Sequence, residues 1–325
     1  MTTYKGIQGR SVQKLSSDPG TLEDVVGQLW YNTGTGTFKL ATENAVSAGT
    51  WAASANINTA RYYMDGAGSA TASIIAAGTP NYYKCETFDG STWTEENQTL
   101  SQKGYNGLCG IQTAALCVGA STPSPTQTEL WDGTCWSEVN ALNTGRGNKG
   151  PCAGPTSAAI VAGGSSAAGA TELWNGTVWT ETGHAQVSPA APTQGRGGWG
   201  TQTAMMAVGG EPAYTDSETY NGSTWTEGNE INTGRGNTGG SGTVTAAILM
   251  CGGPYPVGNY SETYDGTSWT AGPVTAQAHG FGCGNGDIGS SQASTFVAGG
   301  YAPGAQNNSD IWTYTQFVSK TVTVS

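Results

Sequence analysis

The sequence predicts an all-β fold made of one four-stranded unit repeated along the chain. Three observations predict it. Glycine supplies 51 of the 325 residues and charged residues only 11%, against usual shares of roughly 7% and 25%. Aromatic residues are nevertheless abundant, with 11 Trp, 14 Tyr and 5 Phe, which a disordered chain of this polarity would lack. One short hairpin signature also occurs five times at nearly constant spacing. Helical bundles are excluded, because each interior glycine costs a helix about 1 kcal/mol. Collagen is excluded because glycine does not recur at every third position. Many short strands joined by tight turns remain.

The signature is Glu86-Thr-Phe-Asp-Gly-Ser-Thr-Trp93. It returns from Glu129 to Trp136, Glu172 to Trp179, Glu218 to Trp225 and Glu262 to Trp269, the glutamates lying 43, 43, 46 and 44 residues apart. Asp-Gly or Asn-Gly between β-rich runs signals a hairpin, with positive φ expected at both central residues. Two further marks lie between the hairpins. One is a recurring basic residue at Arg61, Lys103, Arg146, Arg196 and Arg235, with His279 in the sixth place. Small apolar runs ending in Gly follow: Ile74 to Gly78, Ala114 to Gly119, Ala158 to Gly164, Ala204 to Gly210, Ala246 to Gly253 and Ser294 to Gly300. Each unit therefore has strand a after the basic residue, strand b ending in Gly, strand c from the Glu, and strand d at the Trp.

Four strands per unit of about 44 residues make the blade of a β-propeller. The order of marks resembles the kelch repeat: a basic residue, an apolar strand ending in Gly-Gly, Glu-x-aromatic, and a downstream Trp. The turn between strands c and d is tighter here than in the common kelch pattern. The marks count to six blades, the last c strand being Asp310-Ile-Trp312-Thr-Tyr314. Five d-strand tryptophans follow the c strands: Trp93, Trp136, Trp179, Trp225 and Trp269. Trp51 stands 42 residues before Trp93 in a matching Gly-Thr-Trp context. The sequence thus predicts a six-bladed kelch-like propeller over 46–315, closed by the strand around Trp51, because closure removes exposed edges.

Residues 1–45 and 316–325 lie outside the ring. Gly27 to Lys39 predicts a β-hairpin over a Thr-Gly turn, and Val318 to Ser325 a late strand packing near it. The string Gly-Gln-Leu-Trp-Tyr-Asn-Thr, a Thr-Gly turn and Phe-Lys resembles segments of tailed-phage fibre and other virion proteins. That resemblance implies a virion-attachment segment, contacts with other virion proteins, several copies per particle, and a chain folded in the host cytoplasm before display outside it.

Twelve basic and 23 acidic residues give a net charge of −11. No segment clusters cations, so neither nucleic acid nor an anionic membrane surface is an expected partner. No apolar run approaches the roughly 20 residues of a membrane span, and no signal-peptide pattern opens the chain. Seven cysteines without a C-x-x-C pair predict free thiols. Cys117 and Cys251 stand where sister units carry Ala or Val, and so are expected to be small and buried.

Chain direction places the a–b and c–d turns on one face of the ring, and the b–c and d–a loops on the other. The c–d turns are uniform, whereas the b–c and d–a loops differ in every unit, and variable loops on a rigid scaffold are where binding resides. Tyr82, Tyr83, Tyr214, Tyr255, Tyr260 and Tyr301 fall in the b–c loops. Tyrosine offers flat apolar area with a polar tip, suited to a glycan or protein surface; the alternative is that these rings cap blade rims. Arg61, Arg146, Arg196 and Arg235 could converge as an anion clamp, but one per unit at a fixed position predicts a structural hydrogen-bonding role. The recurring glutamates receive the same assignment.

Enzyme alternatives rank lower. The Asp-Gly-Ser-Thr-Trp turn resembles the sialidase Asp box but lacks its intervening residue, and a glycosidase needs two carboxylates across one groove, with Glu211, Asp216 and Asp287 as candidates. A copper oxidase of the galactose-oxidase type needs two His beside reactive Tyr and Cys, and only His184 and His279 exist. No Gly-x-Ser-x-Gly nucleophile elbow on a strand-to-helix turn is present. The expectation is a non-enzymatic phage virion protein, without cofactor or metal, whose loop face binds a host surface glycan or protein. The rivals are a purely structural virion subunit, a glycan-processing propeller and a cellular kelch adaptor.

Overall fold

The computed structural model describes residues 12–18, 28–43, 49–121, 123, 125–148, 150–165, 167, 169–183, 195–253, 257–280, 292, 294–314 and 317–322. The chain divides into two compact units, Met1–Ala48 with Tyr314–Ser325, and Gly49–Thr313. Among the described residues there are strands, one 3-10 turn at Val257–Asn259, and no α-helix.

The smaller unit holds one sheet, in the order Gln13–Leu15, Leu29–Asn32, Thr37–Glu43, Phe317–Val322. Its hairpin pairs Leu29 with Leu40 and Asn32 with Thr37. The turn forms because Asn32 Oδ1 accepts the Gly34 and Thr35 N–H groups at 3.0 and 3.1 Å, and Gly36 is left-handed at φ 69°. The strand near the C-terminus runs antiparallel to the hairpin, Phe317 opposite Glu43 and Val322 opposite Phe38. Trp30 is buried and its indole N–H donates to Asp18 Oδ1 at 3.2 Å.

The larger unit is a multi-bladed β-propeller. Its first sheet comprises Asp65–Ser69, Ala72–Ala76, Cys85–Phe88 and Trp93–Glu95. The second comprises Gly107–Ile111, Ala114–Val118, Thr128–Trp131 and Trp136–Val139; the third Cys152–Ala153, Ile160–Ala162, Thr171–Trp174 and Trp179–Thr182. The fourth runs through Gly197–Thr201, Ala204–Val208, Ser217–Tyr220 and Trp225–Glu227, and the fifth through Gly239–Gly242, Ala247–Met250, Ser261–Tyr264 and Trp269–Ala271. Each is an antiparallel meander whose strands pair in chain order. In the sixth, Ser294–Ala298 pairs with Ser309–Thr313, which pairs with Thr50–Ala53 near the start of the chain, Trp312 opposite Trp51. The strand expected to complete that sheet on its inner side falls within 281–291, outside the described residues.

Strand a of each sheet packs on strand a of the next from the first to the fifth sheet, and Ser294–Ala298 of the sixth packs back on Asp65–Ser69. The Trp51 indole reaches Ser261 Oγ of the fifth sheet at 3.4 Å. The equivalent indoles of Trp179 and Trp225 reach Thr128 and Thr171 of their preceding sheets at 3.1 and 2.9 Å. Core side chains lie between sheets. Ile74 and Cys85 of the first meet Leu108, Cys117 and Trp131 of the second, and Trp199 and Met206 of the fourth meet Leu249 and Trp269 of the fifth. Because both sheet faces are covered, b strands are continuous apolar runs rather than alternating ones.

The glycine excess follows from convergence of strands a on the axis. A Cβ at Gly240 would lie 1.9 Å from the Trp199 ring, and one at Gly107 would lie 2.9 Å from Cys152 Cβ. The c–d turns correct one expectation. Only the Gly of each Asp/Asn-Gly pair is left-handed, for example Gly90 at φ 95° and Gly266 at φ 93°. The preceding residue instead folds its side chain over the turn, Asp89 Oδ1 accepting the Ser91 and Thr92 N–H groups at 2.8 Å. Those donors hold the Asp89 carboxyl well below its ordinary range, the Thr92 N–H first among them.

Candidate functional site

The repeated cations are absorbed inside the sheets. Arg61 meets Glu86 at 2.8 Å, Lys103 meets Glu129 at 3.7 Å and Arg146 meets Glu172 at 3.0 Å, all side chains 0–1% exposed. Arg196–Glu218 and Arg235–Glu262 are equally buried pairs. Burial pushes the Arg146 and Arg235 guanidiniums down from their ordinary value, against the opposing pull of Glu172 and Glu262. In the sixth sheet His279 Nε2 lies 3.2 Å from Asp310, with Nδ1 2.8 Å from the Gly299 carbonyl. These arginines are thereby engaged within their own sheets. Arg196 departs from the fixed position the sequence suggests. It directly precedes its strand, whereas Arg61, Lys103 and Arg235 stand four residues before theirs, yet its guanidinium reaches the same glutamate.

The d–a and b–c loops meet on one face around the axis. The Lys103 N–H donates to the Tyr82 carbonyl at 3.1 Å, Arg146 N–H to Pro125 at 2.7 Å, Arg235 N–H to Tyr214 at 3.1 Å and Arg61 N–H to Gln306 at 3.1 Å. Just before strand a, one residue per sheet turns left-handed: Tyr63 (φ 53°), Tyr105 (57°), Asn148 (46°), Gly195 (67°) and Asn237 (52°). They bond to one another between sheets, Tyr105 N–H to the Tyr63 carbonyl at 2.9 Å and Gly195 N–H to Asn148 at 3.4 Å. Around this inner set lie the residues that follow each b-strand end: Thr79, Ser121, Ser165, Glu211, Gly253 and Tyr301.

The set is two-sided. The sixth, first and second sheets contribute an aromatic arc. Tyr63 stacks on Tyr105 with centroids 3.8 Å apart, Tyr62 tilts against Tyr63 at 4.8 Å, and Tyr301 meets Tyr62 edge-on at 5.2 Å. The third to fifth sheets contribute Asn148, Ser165, Glu211 and Asn237. Asn237 Nδ2 donates to Glu211, while Asn237 Oδ1 is buried without a partner. Burial raises the Tyr63 and Tyr105 phenols above their ordinary value, and the negative charge of Glu211 raises both further. They remain O–H groups at neutral pH, bonded to each other. The arrangement joins a flat apolar surface carrying hydroxyls to a cluster of oxygen acceptors.

Of the five predicted loop tyrosines among the described residues, only Tyr301, 40% exposed, belongs to this set. Tyr82 is half-buried, its ring against Gly104 beside Tyr105. Tyr214 is half-buried and its carbonyl serves Arg235. Tyr83 and Tyr260 are exposed at 42% and 40%, and the Tyr260 carbonyl accepts from Arg235 Nη1 at 3.0 Å. Tyr255, His184 and Asp287 lie outside the described residues. Tyr62, Tyr63 and Tyr105 were missed, although comparing residues one and two places after each basic mark isolates them.

No family model matches the chain, and no curated protein matches it. Among solved structures it is similar to that of YjhT, with a TM-score of 0.59 and 12% sequence identity, over 83% of this chain and 96% of that one. At that identity the likeness carries the propeller fold alone.

Proposed function

We propose that the chain is a non-enzymatic phage virion protein, a fibre-type host-attachment component whose six-bladed, kelch-like propeller binds a host surface glycan or protein with its tyrosine-bearing loop face. The observation that carries this is the assembly of four tyrosines from three sheets on the axis, beside the polar arc of Glu211 and Asn237. The phage origin rests on the resemblance of Gly27 to Lys39. Several copies on one particle would turn weak single contacts into firm attachment.

The test is binding of the multivalently displayed chain to a panel of intact candidate bacterial hosts, with Tyr62→Ala, Tyr301→Ala and the double variant as comparisons. Binding to one host, lost in the double variant with the fold intact, is expected. Binding unaffected by the double variant, or no binding to any host, would shift the assignment to a virion subunit without a host ligand.

A further inference from the structure

We infer that Cys109 and Cys152 form an oxidation site, at which a disulfide bond staples the second sheet to the third across their innermost strands. The inference concerns the scaffold and is independent of the function proposed above. It departs from the free thiols that the cysteine spacing predicts.

The geometry brings the two sulfurs together. Cys109 belongs to strand a of the second sheet, Gly107–Ile111, and Cys152 to strand a of the third, Cys152–Ala153. Their Sγ atoms lie 2.9 Å apart, and both residues are buried in one cluster with Leu116, Val118 and Trp174. A disulfide holds its sulfurs about 2.05 Å apart, so a small shift closes the bond. Strand pairing explains why the two face each other. Cys152 lies opposite Val161, which opposes Glu172. Cys109 lies opposite Leu116, which opposes Leu130, one place beyond the equivalent Glu129. An offset of one residue reverses the side-chain direction on a strand, so Cys109 is aimed at the third sheet and Cys152 back at the second.

The same two positions are filled differently at neighbouring contacts. Ala67 meets Leu108 between the first and second sheets, and Trp199 lies over Gly240 between the fourth and fifth. Each of those pairs sets a small residue against a larger one, as close packing between converging strands requires. Cys109 and Cys152 instead oppose two side chains of equal size, with their sulfurs closer than unbonded sulfur atoms rest.

Forming the bond removes two electrons and two protons from the thiols, and a small-molecule disulfide such as oxidised glutathione accepts them. One cysteine thiolate attacks that disulfide and releases a glutathione thiolate. The second cysteine thiolate attacks the mixed disulfide, joins the two Sγ atoms and releases the other glutathione thiolate. Both released thiolates take up the two protons. Burial raises the Cys152 thiol well above its ordinary value, so this exchange belongs to folding, before the two sheets close. The finished bond joins residues 43 apart and stabilises the fold by constraining the unfolded chain.

The experiment exposes the full chain to a mixture of oxidised and reduced glutathione, once during refolding and once as the native protein. A non-reducing tryptic digest is then read by tandem mass spectrometry, and thermal unfolding is followed with and without reductant. Cleavage after Arg146 separates the two cysteines. The refolded sample should yield fragments joined at Cys109 and Cys152, two hydrogens lighter than their sum, sooner than the native one. Its melting temperature should exceed that of the reduced chain by about 5–15 °C. Cys109→Ala places the residue that sister sheets carry as Ala67 and Ala153, and should fold without the link or the dependence on reductant. The mapping of the parent chain decides the point whatever that variant does. Glutathione attached at the exposed Cys135 without a link between Cys109 and Cys152, a link joining other cysteines in its place, or a link that leaves the melting temperature unchanged would overturn the inference.

Discussion

Glu172→Gln tests whether the repeated ion pairs are part of the core. The Glu172 carboxylate accepts from the Asn143 N–H at 2.8 Å, Asn143 Nδ2 at 2.9 Å, the Thr144 N–H at 3.1 Å and Arg146 Nη2 at 3.0 Å. Both partners of the pair are essentially without solvent contact. Gln keeps one acceptor oxygen, loses the charge, and turns an NH2 toward donors, so a buried guanidinium is left uncompensated. Breaking a buried pair from one side costs about 3–5 kcal/mol. At roughly 2–4 °C per kcal/mol for a domain of about this size, the melting temperature should fall by about 6–20 °C. Glu95→Gln is the internal control, because its pair with Lys84 is 44% and 27% exposed and such pairs contribute about 0–1 kcal/mol. Thermal unfolding followed by circular dichroism at neutral pH measures both. Added salt should erase the Glu95 effect and leave the Glu172 effect in place. Replacing Arg146 and Glu172 together with Met and Leu should recover part of the loss, since no lone charge then remains buried. Equal, small shifts for Glu172→Gln and Glu95→Gln would refute the argument.

Three further outcomes follow from named contacts. Trp51→Ala removes the tilted contact with Trp312 at 5.3 Å and the indole bond to Ser261, and should cost about 2–4 kcal/mol. Hydrogen exchange should then accelerate in Ser294–Ala298 and Ser309–Thr313 more than in the second sheet, and uniform protection would contradict closure through Thr50–Ala53. Burial alone would raise Asp310, but the His279 bond and charge and the Gln277 N–H outweigh it and lower its carboxyl below the ordinary value. The stability it adds is therefore present above about pH 4 and lost as pH falls below it; the urea midpoint gap between the parent and Asp310→Asn should close on acidification, and a constant gap would disprove the assignment. Of the described cysteines only Cys135 is exposed, and the Asp132 charge raises its thiol. Native alkylation followed by mass spectrometry should modify Cys135 slowly and spare Cys85, Cys109, Cys117, Cys152 and Cys251, burial having pushed Cys85 up to about 12.

The scaffold was legible because every sheet repeats it. Glu-x-aromatic, Asp/Asn-Gly and Trp recur at a near-fixed interval, so strand order and the displaced strand around Trp51 can be counted. What recurs in residue type need not recur in register, and Arg196 demonstrates this: a long side chain reaches Glu218 from a backbone position next to its strand. The turn geometry was misassigned for a similar reason, since Asp-Gly permits two left-handed residues but Asp89 can satisfy the turn amides with its own carboxylate instead. The tyrosine set was hard to see because it consists of departures from the repeat. At the same loop position the sheets carry Tyr63, Tyr105, Asn148, Gly195 and Asn237, and a comparison that rewards similarity discards that information.

Those departures carry a cost that can be measured. Left-handed backbone is inexpensive for Gly and tolerable for Asn, but for a bulky residue it costs about 1–3 kcal/mol. Asn148, Gly195 and Asn237 show that the ring of sheets accepts the cheaper residues at this position. Tyr63 and Tyr105 recover part of the cost by stacking at 3.8 Å, an interaction contributing about 0.5–1.5 kcal/mol. Tyr105→Asn therefore exchanges a strained, stacked residue for a relaxed, unstacked one, and its net effect on stability should stay within about 1 kcal/mol. If the ring is retained for ligand contact, the same substitution should abolish binding to host cells while the melting temperature barely moves. A loss of more than about 3 kcal/mol would place Tyr105 in the core energetics instead, and the strain at this position would then need no ligand to account for it.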